Sequence, residues 1–308
     1  MALRRERMAL LNFDIGADIG CRTFATEGFE PPELSPIARV RIVIALPARR
    51  YDSCTRTDTE AFMRAARLIM AVLCAALLQI PVKAQAREPV DLLLVLAADV
   101  SRSVTTPKFQ LQREGMAAAI TDRAVLDAIA AGPHRRIAVC LVEWAGDGQQ
   151  AVVIDWKVID GEEAARSFAG HLVETPRAYT GRTSISGGID FSVVHLENAP
   201  YTSKRRVIDV SGDGNNNGVR AVTESRDEAV AKGIVINGLV ILTPDGESLR
   251  PAHTNPPGGL EKYFQDNVIG GPGAFTIVAD GHKSFGKAIK SKLVAEIAGL
   301  PPPQHAAR

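Results

Sequence analysis

Asp91-Leu92-Leu93-Leu94-Val95-Leu96-Ala97-Ala98-Asp99-Val100-Ser101-Arg102-Ser103 decides how this chain is read. Up to Ala98 the run is almost unbroken in its apolarity. That is the pattern of a strand covered on both faces, not of one with a wet side. The run then stops on one carboxylate and two hydroxyls in five residues, presented by a loop that leaves a buried strand.

Outward from this strand, helical and strand patterns alternate. Pro107, well placed in a first helical turn, opens a helix through about Ala130, with Phe109, Met116 and Ile120 on one side. Arg136–Trp144 is a second strand. Gln150–Ile159 is a third, and the short gap before it fits a hairpin, hence an antiparallel edge strand. Glu162–Glu174 and Ser184–Glu197 read as helices and Arg206–Ser211 as a strand. Val219–Lys232 is a helix stopped by Gly233, and Ile234–Leu242 a strand. After a Pro- and Gly-rich loop, Leu260–Asn267 is a short helix and Ala274–Ala279 the sixth strand. Phe285, Ile289, Leu293 and Ile297 mark an amphipathic closing helix. On it, Lys283, Lys287, Lys290 and Lys292 read as a solvated face. The expected fold is therefore α/β: a Rossmann-like, open, mostly parallel six-stranded sheet with helices on both faces and one antiparallel edge strand.

In such sheets the functional crevice lies beyond the carboxyl ends of the strands. The first strand ends in Asp99-Val100-Ser101-Arg102-Ser103 and the fourth in Ser211-Gly212-Asp213-Gly214. Between them, Thr180-Gly181-Arg182-Thr183-Ser184-Ile185-Ser186-Gly187-Gly188 leads into a helix. All three loops fall on one edge of the expected sheet. Asp99, Ser101, Ser103, Thr183 and Asp213 are then oxygen donors for a hard cation, Mg²⁺ first, with Mn²⁺ or Ca²⁺ as alternatives. The competing reading is that the hydroxyls cap helices and the two Asp merely end strands.

These residues resemble the metal-ion-dependent adhesion site of the von Willebrand factor type A domain. That site reads Asp-x-Ser-x-Ser, then a Thr, then an Asp-Gly after a later strand, and the likeness runs from about Pro89 to Gly299. More narrowly, Val142–Gly146, Arg182–Gly187 and Val268–Gly273 resemble a bacterial family of exported proteins, domain of unknown function 1194. The resemblance implies direct ligation by Ser101 and Ser103, with one or both Asp acting through water. It also implies capture of a partner protein's Asp or Glu carboxylate at the open position of the ion. Two carboxylates balance a divalent charge, and the neutral hydroxyls leave the ion electrophilic. Arg102 either points away from such an ion or helps clamp the incoming carboxylate.

Two alternatives compete for the same region. Asp213-Gly214-Asn215-Asn216-Asn217-Gly218 followed by Glu224 fits the spacing of an EF-hand calcium loop on a structural scaffold, although a strand and not a helix precedes it. A metal-dependent hydrolase could use the same strand-end carboxylates, with Glu143 and Asp209 as the nearby acidic candidates for a general base. The six His residues show no metal-ligand spacing, and no nucleophile elbow or phosphate loop sits at a strand-to-helix turn. A non-catalytic binding module is the primary expectation.

The N-terminal third is different material. Residues 1–62 carry nine Arg and no Lys and no sustained apolar period, and read as a tail or as sequence outside the native protein. Met63-Arg64-Ala65-Ala66-Arg67, then the apolar run Leu68–Ile80, then a stretch ending Ala84-Gln85-Ala86, is the grammar of a secretory signal peptide over 63–86 with cleavage after Ala86. The run is shorter than the roughly 20 residues a membrane span needs. The remaining 87–308 forms one domain, periplasmic or secreted. Only Cys140 of the four Cys falls in it, as a small core residue without an internal disulfide. Lys+Arg 36 against Asp+Glu 35 leaves +1, so no global field draws in nucleic acid, and 5% aromatic residues leave little for base stacking.

Overall fold

The computed structural model describes residues 87–244 and 250–300, together with Ala66. The expected signal segment 63–86 and the stretch 1–62 lie otherwise outside the described residues, as do Cys21, Cys54 and Cys74. In chain order the elements are β1 (Glu88–Pro89), β2 (Leu93–Asp99), α1 (Thr106–Ile120), α2 (Arg123–Ala130), β3 (Ile137–Trp144), β4 (Gln150–Ile159) and α3 (Glu162–Glu174). They continue with α4 (Ile185–Glu197), β5 (Tyr201–Thr202), β6 (Arg206–Gly212), α5 (Val222–Ala231), β7 (Val235–Ile241) and α6 (Pro251–Thr254). Last come α7 (Leu260–Tyr263), which runs into a π-helical turn at Phe264–Val268, then β8 (Thr276–Ala279) and α8 (Phe285–Ala298).

The main sheet has six strands in the order β4-β3-β2-β6-β7-β8. Every neighbour pair is parallel except β3 and β4, which run antiparallel as the short connection requires. The expected α/β architecture is the one observed. β2 lies at the centre and every residue of it is buried. Its alternate side chains feed two cores. Leu94, Leu96 and Ala98 pack with Met116 and Ile120 of α1, Phe168 and Leu172 of α3 and Phe285, Ile289 and Leu293 of α8. Leu93, Val95 and Ala97 pack with Ile185, Ile189 and Leu196 of α4 and with Val222, Ala229 and Phe264. A strand sandwiched this way has no face left for a polar residue, which explains its unbroken apolarity. Cys140 of β3 is buried, as expected of a small core residue.

Three details depart from the sequence reading. The expected helix from Pro107 to Ala130 is two helices. Thr121 turns its hydroxyl back to the carbonyl of Ala117 at 3.0 Å, and Asp122 is extended and caps α2 by accepting from the Ala124 amide at 2.9 Å. A second, two-stranded parallel sheet pairs β1 with β5. The third is a correction to the solvated lysine face: Lys292 is fully buried, and its Nζ lies 2.8 Å from Asp209 Oδ1 and in contact with Glu296. Among the described residues no helix is long and apolar enough to cross a membrane.

Candidate functional site

The carboxyl end of β2 passes directly into the Asp99–Ser103 loop. The Asp99 carboxylate folds back on that loop, Oδ1 accepting from the Ser101 amide at 2.6 Å. The Ser101 and Ser103 hydroxyls are 3.1 Å apart, and Ser103 donates to Asp213 Oδ1 at 2.6 Å. Asp99, Ser101, Ser103 and Asp213 thus form one chain of contacts across two adjacent parallel strands. Thr183 lines the same cavity as Ser103, a space of about 830 Å³, and its Oγ1 lies 3.1 Å from His253 Nε2. The structure therefore gathers four of the five expected donors by direct contact and sets Thr183 on the wall of the cavity that Ser103 also lines.

The loops are held by contacts that span long stretches of chain. The Arg102 amide donates to the Gly181 carbonyl at 3.0 Å, which ties the Asp99–Ser103 loop to the Thr183 loop. Arg177 reaches under the first loop and donates to the carbonyls of Ser101 and Val104, each at 2.7 Å, and to that of Val100. Glu143, fully buried, accepts from the Ala178 amide at 2.6 Å and pairs with Arg113. Ser184 caps α4 by accepting from the Gly187 amide at 3.2 Å, and so fixes Thr183 one residue ahead of the helix. Asn217 accepts from the Thr183 amide at 2.9 Å and donates its own amide to the Thr183 carbonyl at 2.7 Å. His253 leans on Gly214, where a Cβ would come within 2.2 Å of Nε2, so a larger residue after Asp213 would displace the imidazole. Arg177 and His253 are site residues that the sequence did not reveal, and Asn217, expected there only as part of a calcium loop, instead holds the Thr183 backbone.

The electrostatics are those of a site short of positive charge. Asp99 and Asp213 are both fully buried, and each has one carboxylate oxygen, Oδ2, with no hydrogen-bond partner among the described residues. Burial first, and the Asp213 charge second, push Asp99 up to about 8. Burial also raises Asp213, against the opposing pull of the Ser103 hydrogen bond and of Lys108, whose Nζ is 4.0 Å from Oδ2. Burial lowers the His253 imidazole, partly offset by Asp213. The same two oxygens are the ones a cation would satisfy. No group of three His, Cys, Asp or Glu side chains gathers anywhere among the described residues, so the donor set here is hydroxyl-rich.

The competing readings find their residues engaged elsewhere. In the Asn-rich loop, Asn215 Oδ1 meets His253 Nδ1 at 2.5 Å, Asn216 Oδ1 accepts from the Ser186 amide at 3.2 Å, and Asn217 is spent on Thr183. Glu224 sits on the exposed side of α5 beside Arg220 at 3.5 Å. Each of these oxygens thus already has a partner within the protein. Glu143 is held by Arg113 and Ala178, and Asp209 by Lys292, so neither candidate base faces the cavity hydroxyls.

A family model described as "Protein of unknown function (DUF1194)" matches residues 89–301. The chain belongs to this family. The matched span takes in all three loops of the site in this DUF1194 member. No curated protein matches the sequence. Solved structures similar to it include proximal thread matrix protein 1 from the mussel byssus, at 16% identity and TM-score 0.47, covering 68% of this chain and 46% of that one. The pilus adhesin SpaC from Lactobacillus rhamnosus GG, in its open conformation, is 15% identical at TM-score 0.49, over 69% of this chain and 30% of that one. A von Willebrand factor type A structure from Catenulispora acidiphila is 11% identical at TM-score 0.43, over 68% and 43%. The chain spans less than half the length of each.

Proposed function

We propose that this DUF1194 member is an exported, non-catalytic binding module. Asp99, Ser101, Ser103, Thr183 and Asp213 hold a divalent cation, Mg²⁺ in the first place, and a partner protein's Asp or Glu carboxylate is captured there. The observation that carries the reading is the pair of buried carboxylates joined through Ser103, each with an orphaned oxygen and each raised by burial. Desolvated carboxylates of this kind call for a compensating cation. All-oxygen donors select hard ions, and Mg²⁺ bound by few protein groups keeps several waters, one of which an outside carboxylate would displace. When bound, the ion would supply the positive charge that the two buried carboxylates lack. The chain's own part is to keep the two hydroxyls of Ser101 and Ser103 on one side and to keep the loops in register through Arg177 and Asn217. Export is supported by the signal grammar of residues 63–86.

Thermal unfolding of the 87–308 chain with and without metal tests this reading. Millimolar Mg²⁺ or Mn²⁺ is expected to raise Tm, because a ligand that binds only the folded state stabilises it by mass action. Asp99→Ala should abolish the rise and Glu224→Ala should keep it. Loss of the rise in Glu224→Ala but not in Asp99→Ala would move the site to the Asn-rich loop. Turnover of ester or phosphoester substrates that depends on Asp99 would replace the binding module with an enzyme.

A further inference from the structure

The cavity above the carboxylates carries a charge pattern of its own. The whole chain is nearly neutral at +1, yet Arg102, Lys108, Arg182 and Arg250 all line this one cavity, and no Asp or Glu lines it among the described residues. Several arginines elsewhere on the surface are neutralised locally. Arg136 pairs with Glu88, Arg166 with Glu162, and Arg220 with Asp190 and Glu228. Arg102 and Arg182 are exposed and make no ion pair or side-chain hydrogen bond among the described residues.

Their placement links them to the site. Arg102 stands between Ser101 and Ser103, and Arg182 immediately precedes Thr183. The bond from the Arg102 amide to the Gly181 carbonyl keeps the two backbones side by side. Both guanidinium groups therefore rise from the loops that present the donor hydroxyls. Lys108 enters from the first turn of α1, and its Nζ is already 4.0 Å from Asp213.

We infer that the partner presents an acidic peptide segment with several carboxylates, one for the cation and the others for the basic collar formed by Arg102 and Arg182 with Lys108. This rests on the binding-module reading and names the partner's chemistry. A lone carboxylate would satisfy the ion and leave two guanidinium forks facing an empty cavity. Each fork matches a planar carboxylate through two parallel hydrogen bonds. A cavity of about 830 Å³ is far larger than a single tetrahedral anion, and its cations come from separate chain segments, so they suit several spaced anions better than one. Like charges focused in a cleft also speed the approach of an acidic partner and make binding salt-sensitive.

Two end-capped peptides test this on the 87–308 chain loaded with Mn²⁺: one with a single Asp among Gly and Ser, the other with three Asp in the same frame. The three-Asp peptide is expected to bind about tenfold or more tighter, with the advantage shrinking at high salt. In the Arg102→Gln/Arg182→Gln variant that advantage should vanish, while the Mn²⁺-dependent rise in Tm is retained. Equal binding of the two peptides by a wild-type protein whose Tm responds to Mn²⁺ overturns the collar and spares the metal site. A three-Asp preference that survives in the double variant overturns it as well. Inorganic phosphate that competes at concentrations where acetate does not reassigns the collar to phosphate. If Mn²⁺ leaves Tm unmoved yet the three-Asp peptide still binds through the two arginines, the collar stands and the metal reading falls.

Discussion

Arg177 shows how much of the site depends on one side chain outside the ligand set. Its guanidinium satisfies the carbonyls of Val100, Ser101 and Val104, which a tight loop leaves pointing inward. Arg177→Met would leave those acceptors unpaired beneath the two serines, at a cost of about 1–3 kcal/mol for each buried group left unmade. The Mn²⁺ concentration needed for a half-maximal Tm shift should rise about tenfold, and Arg177→Lys should recover part of the loss. An unchanged midpoint in Arg177→Met would mean that the loop holds its shape without the clamp. The residues legible in the sequence were those in short motifs at strand ends: Asp99, Ser101 and Ser103 in one loop, Asp213 before its glycine, and Thr183 ahead of a helix. Arg177, Asn217 and His253 act across 76, 34 and 70 residues of chain, and no local pattern records such pairings. Lys292 misled for a similar reason. Its partner Asp209 sits inside an otherwise apolar strand, and only the packed structure joins the two.

At the scale of elements, the strands were readable because burial on both faces leaves a plain signature in β2, β3 and β7. The junction between α1 and α2 was not, because apolar spacing continues across it while Thr121 and Asp122 redirect the backbone. Asp122→Ala should remove the cap of α2 and lower stability by about 1 kcal/mol in urea unfolding. No change would show that the break is set by packing and not by the cap. Helix α4 makes a stricter demand. A Cβ on Gly188 would lie 2.8 Å from the Trp144 ring, and Trp144 is fully buried with no room to move. Replacing a helical glycine with alanine normally stabilises by about 1 kcal/mol. Here overpacking of about 1–3 kcal/mol should win, so Gly188→Ala is expected to destabilise. The shift would also push on Ser184 and Thr183 at the start of the helix, and the Mn²⁺ response should weaken with it. A Gly188→Ala protein more stable than wild type would show that the interface yields.

For the molecule as a whole, the buried cluster between the sheet and α8 sets a pH dependence whose sign can be worked out. Asp209 is almost fully buried, with Lys292 and Glu296 of α8 facing it, while Asn237 of β7 donates to Glu296 at 2.8 Å. Arg205 caps the carbonyls of Glu296 and Ile297 from outside. Two carboxylates share one ammonium, so burial and the Glu296 charge push Asp209 up to about 7, against the pull of Lys292. The unfolded chain holds this proton only below about pH 4. Between about pH 4 and 7 the folded protein therefore binds one proton more than the unfolded one, and stability falls as pH rises through that window. Below it both states are protonated and the term is fully present; above it the loss is complete, a few kcal/mol at most. Asp209→Asn removes the titration but leaves Lys292 paired with Glu296. Urea unfolding of both proteins from pH 4 to pH 8 should show the variant gaining on wild type as pH rises. The raised Asp99 is common to both proteins and drops out of the difference. A gap that stays flat, or that widens in favour of wild type, would mean that Asp209 is ionised against Lys292 throughout and that the cluster is a plain buried ion pair.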